Sequence, residues 1–318
     1  MVTLKLLLRL LQLRYSNYDI AIMKNTTNTD TVLLPLGQAT VYKTQYDASL
    51  LYPIPRLNTR QALFADNELP FVGSDLWTAY EVSWLNSQGM PQLRLVEFIF
   101  AHDTVNIVES KSFKLYLNSF NQTHLDSEND LKRIMFDDLS AAAGGALEIF
   151  FYDLDDANNL AIDHLPGQCI DACDIRIEHY HRKAQLLCAN QSDIKKEAQA
   201  EGDVPTVENE ILYSHLLKTN CPVTNQPDWA TIFIQYSGSK IKAENLLAYL
   251  VSFREHQDFH ENCVEQIFFD IEQQCKPTSL AVYARYTRRG GLDINPVRYS
   301  LNNTEQPFKN LRLRTRRQ

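Results

Sequence analysis

The feature of this sequence that most constrains its fold is an internal repeat at a spacing of 133 residues. The segment LYLNSFNQ, which contains Tyr116 and Phe120, aligns with AYLVSFRE, which contains Tyr249 and Phe253. Further matches at this spacing are Ser119 with Ser252, Ile134 with Ile267, Phe136 with Phe269, Asp137 with Asp270, and Tyr80 with Tyr213. Several matches in one gap-free register indicate two homologous halves, because self-similarity at a fixed period is the signature of a repeated structural unit.

Both halves show the same predicted order of elements, which is strand, strand, helix, helix, strand. In the second half, the hydrophobic pattern predicts strands at 210–218, 230–237 and 279–288, and helices at 243–256 and 260–274. In the first half, it predicts strands at 76–85, 93–101 and 146–154, and helices at 112–122 and 127–141. Antiparallel hairpins with paired helices on one face predict an α+β fold with two tandem modules.

The length of 318 residues with 44% hydrophobic content allows two medium-sized cores, which agrees with two modules. We expect a first module at 31–165, a second at 166–318 and a polar linker at 189–206. Residues 1–30 are expected to be a disordered leader, with either Met1 or Met23 as the physiological start. Arg9 interrupts the apolar run of the leader, which is too short to span a bilayer, so the sequence predicts no membrane association.

The net charge and the spacing of the cysteines argue against two classes of protein, namely nucleic-acid-binding proteins and disulfide-rich secreted proteins. A net charge of −8 argues against a surface that grips a nucleic-acid backbone, and the short tail LRLRTRRQ is expected to be a flexible basic terminus. The six cysteines are irregularly spaced, which favours free thiols in a reducing cytosol over a disulfide framework. Cys169 and Cys173 lie four residues apart without a second such pair, so metal binding by them is the less favoured interpretation.

The two halves differ in the polar residues that could carry chemistry. At the 133 spacing, Cys221 aligns with Gln88 and His260 with Ser127. In the other direction, Glu109–Ser110 aligns with Lys242–Ala243, and small gaps would shift these pairs by a residue or two. The pattern suggests that each half kept a different part of one ancestral site.

Cys221 and Asp228 lie in a predicted loop between two strands. Pro222 biases Cys221 toward an extended backbone, where its thiol can be exposed as a nucleophile. A carboxyl group such as that of Asp228 can exchange protons as covalent adducts form and collapse. The structural alternative is a partly buried thiol beside a turn-forming aspartate.

Three further segments are candidates for binding. His260–Glu261 begins a predicted helix and offers a proton donor beside a carboxylate, although both groups can also simply stabilise the helix start. Residues 109–112 (ESKS) are either a helix cap or an anion cradle. Residues 288–291 (RRGG) offer two guanidinium groups beside a flexible backbone, which suits phosphate.

Together these segments resemble the NADPH-dependent 7-cyano-7-deazaguanine reductases of queuosine biosynthesis, in their long, two-module form. The matching motifs are ESKSFKLYLNSF (109–120), SHLLKTNCPVTNQPDW (214–229), SFREHQDFHENCVE (252–265) and YARYTRRGGLDINP (283–296). The resemblance extends from about residue 36 to about residue 298. It implies a tunnelling fold (T-fold), a cytoplasmic homodimer and active sites where modules meet.

The resemblance also implies roles for individual residues. Cys221 would add to the nitrile of 7-cyano-7-deazaguanine to form a covalent thioimide, with Asp228 as proton donor, His260 assisting, and NADPH used twice per product. The substrate would contact Val108, Glu109, Ser110, His260 and Glu261, and NADPH would contact Ser110, Lys111, Arg289 and Gly290. The sequence has no Rossmann G-x-G-x-x-G motif, and no residue is assigned as a metal ligand.

Two other functions compete with this interpretation. Zinc-dependent cyclohydrolases acting on a guanine nucleotide share the implied fold and hold zinc with a C-x-x-H element. Here the residue three positions after Cys221 is Thr224, so that ligand is missing. A binding module that sequesters a pterin or purine through its glutamates is the non-enzymatic alternative.

Overall fold

The structure, a computed structural model, describes residues 42–64, 68–155, 162, 165–188, 205–303, 308 and 314–318. The predicted leader at 1–30 and nearly all of the predicted linker at 189–206 lie outside these residues. Among the helices that the structure describes, none is long and apolar enough to cross a membrane.

Within the described residues, the first half contains five strands and three α-helices. These are β1 (Pro53–Pro55), α1 (Leu57–Arg60), β2 (Phe71–Leu85), β3 (Pro91–Ala101), β4 (Asn106–Val108), α2 (Ser110–Ser119), α3 (Glu128–Ala143) and β5 (Leu147–Tyr152). The second half contains β6 (Gln168–Cys169), β7 (Thr206–Asn220), β8 (Pro227–Ser239), α4 (Ala243–Val251), α5 (His260–Cys275), β9 (Ser279–Tyr286) and β10 (Leu292–Ser300). Each strand and helix predicted above is present, so the predicted element order is confirmed.

The two halves share one eight-stranded sheet in the order β5-β3-β2-β10-β9-β8-β7-β6. Its pairs are antiparallel apart from the parallel pair β6–β7. A separate small sheet pairs β1 with β4. The mixed α+β class is therefore confirmed, and the sheet runs continuously from one half into the other.

Strand β10, which the sequence pattern did not predict, joins the halves. It pairs with β2 over nine residues, from Leu292 opposite Ala79 to Ser300 opposite Phe71. Pro296 argues against a central strand because it has no N–H group for the ladder. The side chain of Asn295 compensates here, since its Oδ1 accepts from the Tyr286 N–H (3.1 Å) and its Nδ2 donates to the Leu76 carbonyl (3.3 Å).

The two halves contain equivalent side-chain contacts, and these contacts correct the predicted register of the repeat. The Tyr116 hydroxyl donates to Asp138 (2.7 Å), and the Tyr249 hydroxyl donates to Asp270 (2.6 Å). Asp138, and not Asp137, is therefore the counterpart of Asp270.

The spacing also differs between elements. The first helices, α2 and α4, begin 133 residues apart, whereas the second helices, α3 and α5, begin 132 apart. The pairings of Ile134, Phe136 and Asp137 were therefore wrong by one residue. The bulge between Ala79 and Val82 recurs 135 residues later, between Ser214 and Leu217, so pairing Tyr80 with Tyr213 was wrong by two.

The helices of each half cover the same sheet with a separate apolar core. Residues of α2 and α3 such as Phe113 and Leu131 form one core with β2, β3 and β5. Residues of α4 and α5 such as Leu250 and Ile267 form the other with β7, β8 and β9. Leu292 and Ile294 of β10 belong to the first core, and the Ile294 carbonyl lies 3.3 Å from Nδ1 of His260 at the start of α5.

A buried ionic network also crosses the junction. Arg298 of β10 contacts both Asp75 of β2 and Glu265 of α5 at 2.8 Å, and all three are at most 1% exposed. Arg56 pairs with Asp75 (2.6 Å), and Arg60 pairs with Glu265 (2.7 Å). Burial alone would raise the pKa of Glu265, but the adjacent guanidinium groups outweigh burial and lower it. The network fixes α5, and with it the residues at its start, against both halves.

Candidate active site

One cavity lies at the junction of the halves, between the start of α2, the β7–β8 loop, the start of α5 and the first residues of β10. Seven of the residues predicted from the sequence line it: Val108, Ser110, Cys221, Asp228, His260, Glu261 and Arg289. The remaining lining residues are Trp77, Ile107, Lys114, Pro222, Asp258, Phe259, Thr287, Leu292 and Ile294. The structure therefore brings together residues that lie far apart in the sequence and come from both halves.

Cys221 lies at the start of a tight loop that follows β7. Its N–H donates to the Gln226 carbonyl (2.9 Å), and its carbonyl accepts from the Asn225 N–H (3.0 Å). Asn225 has a φ of 55°, a left-handed conformation that asparagine tolerates better than most residues. These hydrogen bonds hold the partly exposed thiol at the cavity wall, as expected for a loop nucleophile.

Asp228 is the second residue of β8, the strand that follows this loop. It is 3% exposed and forms a close ion pair with Arg289. Its Oδ1 lies 3.5 Å from Nε2 of His260. A carboxylate, an imidazole and a guanidinium thus meet beside the thiol, which provides groups for proton transfer and for charge balance.

His260 is held in one orientation by its surroundings. Its Nδ1 lies 3.3 Å from the Ile294 carbonyl, which can only accept, so Nδ1 carries a proton. Nε2 then faces Asp228 and is free to take up or release a proton. The ring lies parallel to that of Tyr286, with centroids 3.6 Å apart.

Glu261 is the second residue of α5 and is 2% exposed. Its Oε1 is buried and has no hydrogen-bond partner among the residues that the structure describes. Burial, reinforced by Asp75, raises the pKa of Glu261 to about 7, while Arg56 and His260 act in the opposite direction. A buried, unsatisfied acceptor at a cavity wall indicates a ligand that brings N–H donors.

Glu109 does not line the cavity, in contrast to the role expected from the resemblance. Its carboxylate caps α2, with Oε1 accepting from the Lys111 N–H (2.9 Å) and Oε2 from the Ser112 N–H (2.7 Å). Of the two interpretations given for residues 109–112, the Glu109 side chain therefore agrees with the helix cap. Val108 and Ser110, on either side, do line the cavity.

Lys114 lines the cavity, whereas Lys111, which the resemblance pointed to, does not. Ser110 and Lys114 are four residues apart on α2 and so share a face of the helix. Within the described part of the chain, the Lys114 ammonium group forms no hydrogen bond or ion pair. Burial lowers the pKa of Lys114 and nearby Arg289 lowers it further, while Glu109, Asp228 and Cys221 oppose the shift. The helical spacing from Ser110 was the signal that could have identified this residue.

The Arg-Arg-Gly-Gly segment is the turn between β9 and β10. Arg289 forms a bridge with Leu292, and Gly290 and Gly291 between them have φ values of 59° and 75°. Two consecutive residues with positive φ are what a tight type I′ hairpin turn requires, which explains the glycine pair. The turn places Arg289 at the cavity, where Nη1 donates to Oε1 of Gln226 (2.7 Å). Gly290 itself lies beside the Lys114 side chain and outside the lining.

These observations define a class, namely an α+β protein with a cysteine-centred site at the junction of its halves. Residues 42–151 match the family model described as nitrile reductase, 7-cyano-7-deazaguanine-reductase N-term, and residues 227–305 match that of QueF-like protein. A relative from Cupriavidus taiwanensis named NADPH-dependent 7-cyano-7-deazaguanine reductase is 50% identical over 84% of this chain and 93% of its own length. One from Hydrogenovibrio crunogenus with the same name is 48% identical over 91% of this chain and 98% of its own length. The chain belongs to the family of NADPH-dependent 7-cyano-7-deazaguanine reductases.

Among solved structures, the apo form of the archaeosine synthase QueF-Like matches this chain at 16% sequence identity. The match covers 31% of this chain and 96% of the solved one. The TM-score is 0.27.

Proposed function

We propose that this chain reduces the nitrile of 7-cyano-7-deazaguanine to the amine of 7-aminomethyl-7-deazaguanine, with NADPH as reductant, in the queuosine pathway of tRNA modification. The observation that carries the proposal is that Cys221, Asp228, His260 and the unpartnered carboxylate oxygen of Glu261 meet at one cavity. The names of the relatives support the substrate and the reductant.

Glu261 is suited to recognise the base. The guanine-like edge of the substrate carries N–H donors, and the ionised carboxylate of Glu261 accepts hydrogen bonds only. Trp77 and Phe259 add aromatic surface to the cavity against which a flat base can pack. Val108 and Ser110 flank the capped start of α2 and would contact the base from the other half.

Cys221 supplies the nucleophile. Its sulfur bonds to the nitrile carbon, one π bond of the nitrile breaks, and the result is a thioimide. The proton that the thiol loses ends on the nitrile nitrogen, and Asp228 with His260 are the groups placed to carry it. Attachment to sulfur and protonation on nitrogen make the carbon a better hydride acceptor than a free nitrile.

Ser110, Lys111, Arg289 and Gly290 would hold NADPH, according to the family resemblance, and the cavity adds Lys114 to this set. The fit rests on the partly exposed Arg289 guanidinium and on the Lys114 ammonium, which has no partner among the described residues; both groups suit the phosphates of the cofactor. When bound, NADPH supplies hydride, and conversion of a nitrile to an amine takes two NADPH per product. Asp228 and His260 would supply the protons that accompany reduction and release of the Cys221 thiol.

The assembly is also part of the proposal. An open eight-stranded sheet with helices on one face can close into a tunnel when it meets a second copy. We therefore propose the tunnelling fold and a homodimer, which light scattering of the purified chain would test. The six free cysteines agree with a reducing compartment such as the cytoplasm.

Intact-mass spectrometry tests the central step. The chain is incubated with 7-cyano-7-deazaguanine in the absence of NADPH, and a mass increase equal to one substrate molecule is expected. Cys221→Ala should form no adduct, while Cys188→Ser, which replaces a half-buried thiol away from the cavity, should form it as the unchanged chain does. Production of the amine by Cys221→Ala would overturn the proposal.

A further inference from the structure

A second group of chemically reactive side chains lies on strand β6, in the turn that follows it and on strand β7, apart from the Cys221 cavity. Cys169, Asp171 and His215 each offer one potential metal ligand, and these three atoms lie within 4.8 Å of one another. None of the three lines the cavity described above. The proposed reductase mechanism does not use them.

The strand pairing explains why they meet. Strand β6 runs parallel to β7 with Cys169 opposite Tyr213. His215 lies two residues beyond Tyr213 on the same face of β7, because alternate residues of a strand face the same side. Asp171 lies in the turn two residues beyond Cys169, next to His215. Gly167 allows the strands to approach, since a side chain there would lie 2.3 Å from the Ile211 carbonyl oxygen.

Hydrogen bonds already orient two of the three side chains. The Ser214 hydroxyl donates to Oδ1 of Asp171 (2.6 Å), and the His215 N–H donates to Oδ2 (3.0 Å). Each carboxylate oxygen keeps a second lone pair for a cation. Nδ1 of His215 lies 2.9 Å from Oγ1 of buried Thr231, which also accepts from Arg317 at 3.3 Å.

The contact with Thr231 matters because a histidine that binds metal normally donates its other ring N–H to a neighbouring acceptor. With Nδ1–H donating to Thr231, the unprotonated Nε2 of His215 is available as a ligand. The set then consists of one thiolate, one imidazole and one carboxylate, a combination that suits zinc.

We propose that Cys169, Asp171 and His215 bind one zinc ion, with water completing a tetrahedral site. The thiol proton of Cys169 is released to solvent on binding. The site would tie the two-residue strand β6 to β7 and so stabilise this end of the sheet. Cys173, the partner of Cys169 suggested by sequence spacing, packs instead against the core of the second half.

The experiment uses full-length chain without an affinity tag, dialysed against Zn²⁺ and then against metal-free buffer, with metal content measured by mass spectrometry. We expect one zinc per chain, retained in Cys173→Ser and in Cys221→Ala. Cys169→Ser and His215→Ala should bind zinc about tenfold or more weakly. Cys169 is exposed, so its replacement does not disturb a core.

Two spectroscopic and stability readouts accompany the metal analysis. Co²⁺ in place of Zn²⁺ should give a sulfur-to-cobalt charge-transfer band that is present in Cys173→Ser and absent in Cys169→Ser. Zinc should raise the melting temperature of the unchanged chain and not that of Cys169→Ser. Absence of bound zinc, or equal zinc content in Cys169→Ser and the unchanged chain, would overturn the proposal. The Cys221→Ala chain separates this outcome from any failure of the nitrile reductase.

Discussion

The imidazole of His260 and the phenol ring of Tyr286 lie face to face, with an interplanar angle of 4°. His260 begins α5 and Tyr286 ends β9, so the contact joins a helix to the sheet beneath it. Tyr286 is completely buried, so packing holds its ring against the histidine. Tyr286 therefore fixes the plane of the imidazole from which Nε2 faces Asp228.

We predict that the stacking surface of Tyr286, more than its hydroxyl group, sustains turnover. Tyr286→Phe should keep kcat within about threefold, whereas Tyr286→Leu should lower it by about tenfold or more, since misplacing a catalytic group slows reactions strongly. Steady-state kinetics with NADPH measures both. If Tyr286→Leu lowers only the melting temperature and leaves kcat and its pH profile unchanged, the positioning role is wrong.

A second prediction concerns the buried carboxylate of Glu261. Its pKa is raised from 4.5 to about 7, so its charge destabilises the fold without a ligand, increasingly as pH rises through that interval. Glu261→Gln should be more stable than the unchanged chain by about 3 kcal/mol at pH 8 and nearly equal to it at pH 4.5. Binding of the base should be strongly weakened in the same variant, because an amide offers one acceptor oxygen in place of two.

Urea denaturation at both pH values measures the difference in stability for Glu261→Gln. Glu244→Gln is the matched control, because Glu244 is also the second residue of its helix, α4, and is exposed. The control should change stability by less than about 0.5 kcal/mol. A stability difference for Glu261→Gln that does not depend on pH would contradict the prediction.

The third prediction distinguishes two lysines on α2. Lys114→Met removes an ammonium group from the cavity and should raise the KM for NADPH by about tenfold or more, as expected for loss of a charge-assisted hydrogen bond. Lys111→Met, outside the cavity lining, should have a smaller effect. Adduct formation without NADPH should persist in both variants. The reverse order of KM values would favour Lys111, the residue that the resemblance indicates.

The fourth prediction addresses the buried ionic network. Glu265→Gln leaves the guanidinium groups of Arg298 and Arg60 without their shared carboxylate, and should destabilise the chain by about 3–5 kcal/mol. Glu128→Gln breaks the exposed pair with Arg94 and should cost at most about 1 kcal/mol. Chemical denaturation at neutral pH compares them, and equal losses of stability would refute the distinction between buried and exposed pairs.

The order of strands and helices could be predicted because its signals are local. The alternating pattern of β8 and the apolar stripe of α5 follow from residues adjacent in the sequence, and the Tyr-Ser-Phe repeat marked equivalent helices. The distance in sequence between equivalent positions of the two halves is 135 residues at the strand bulges and 132 at the starts of α3 and α5. A comparison at one fixed spacing cannot detect this change.

The part that could not be predicted depends on contacts over long distances. Strand β10 contains Pro296 and Asn295, whose composition argues against a central strand. It pairs with β2 nevertheless, and the Asn295 side chain adds hydrogen bonds to both neighbouring strands. Most of the cavity-lining residues that the sequence predicted were indicated by the family motifs. Lys114 and Tyr286 stand in those same motifs, yet only the folded arrangement shows that one faces the cavity and the other stacks on His260.

The pairing of β10 with β2 has a consequence for how the cavity is aligned. Leu292 and Ile294 line the cavity from β10, and Ile294 is opposite Trp77, which lines it from β2. Slippage of this pair by a single residue would turn each of these side chains to the opposite face of the sheet. The register of the β10–β2 pair therefore sets how the two halves face each other across the cavity. An insertion or deletion in either strand would misalign Cys221 with the bound substrate while leaving both halves folded.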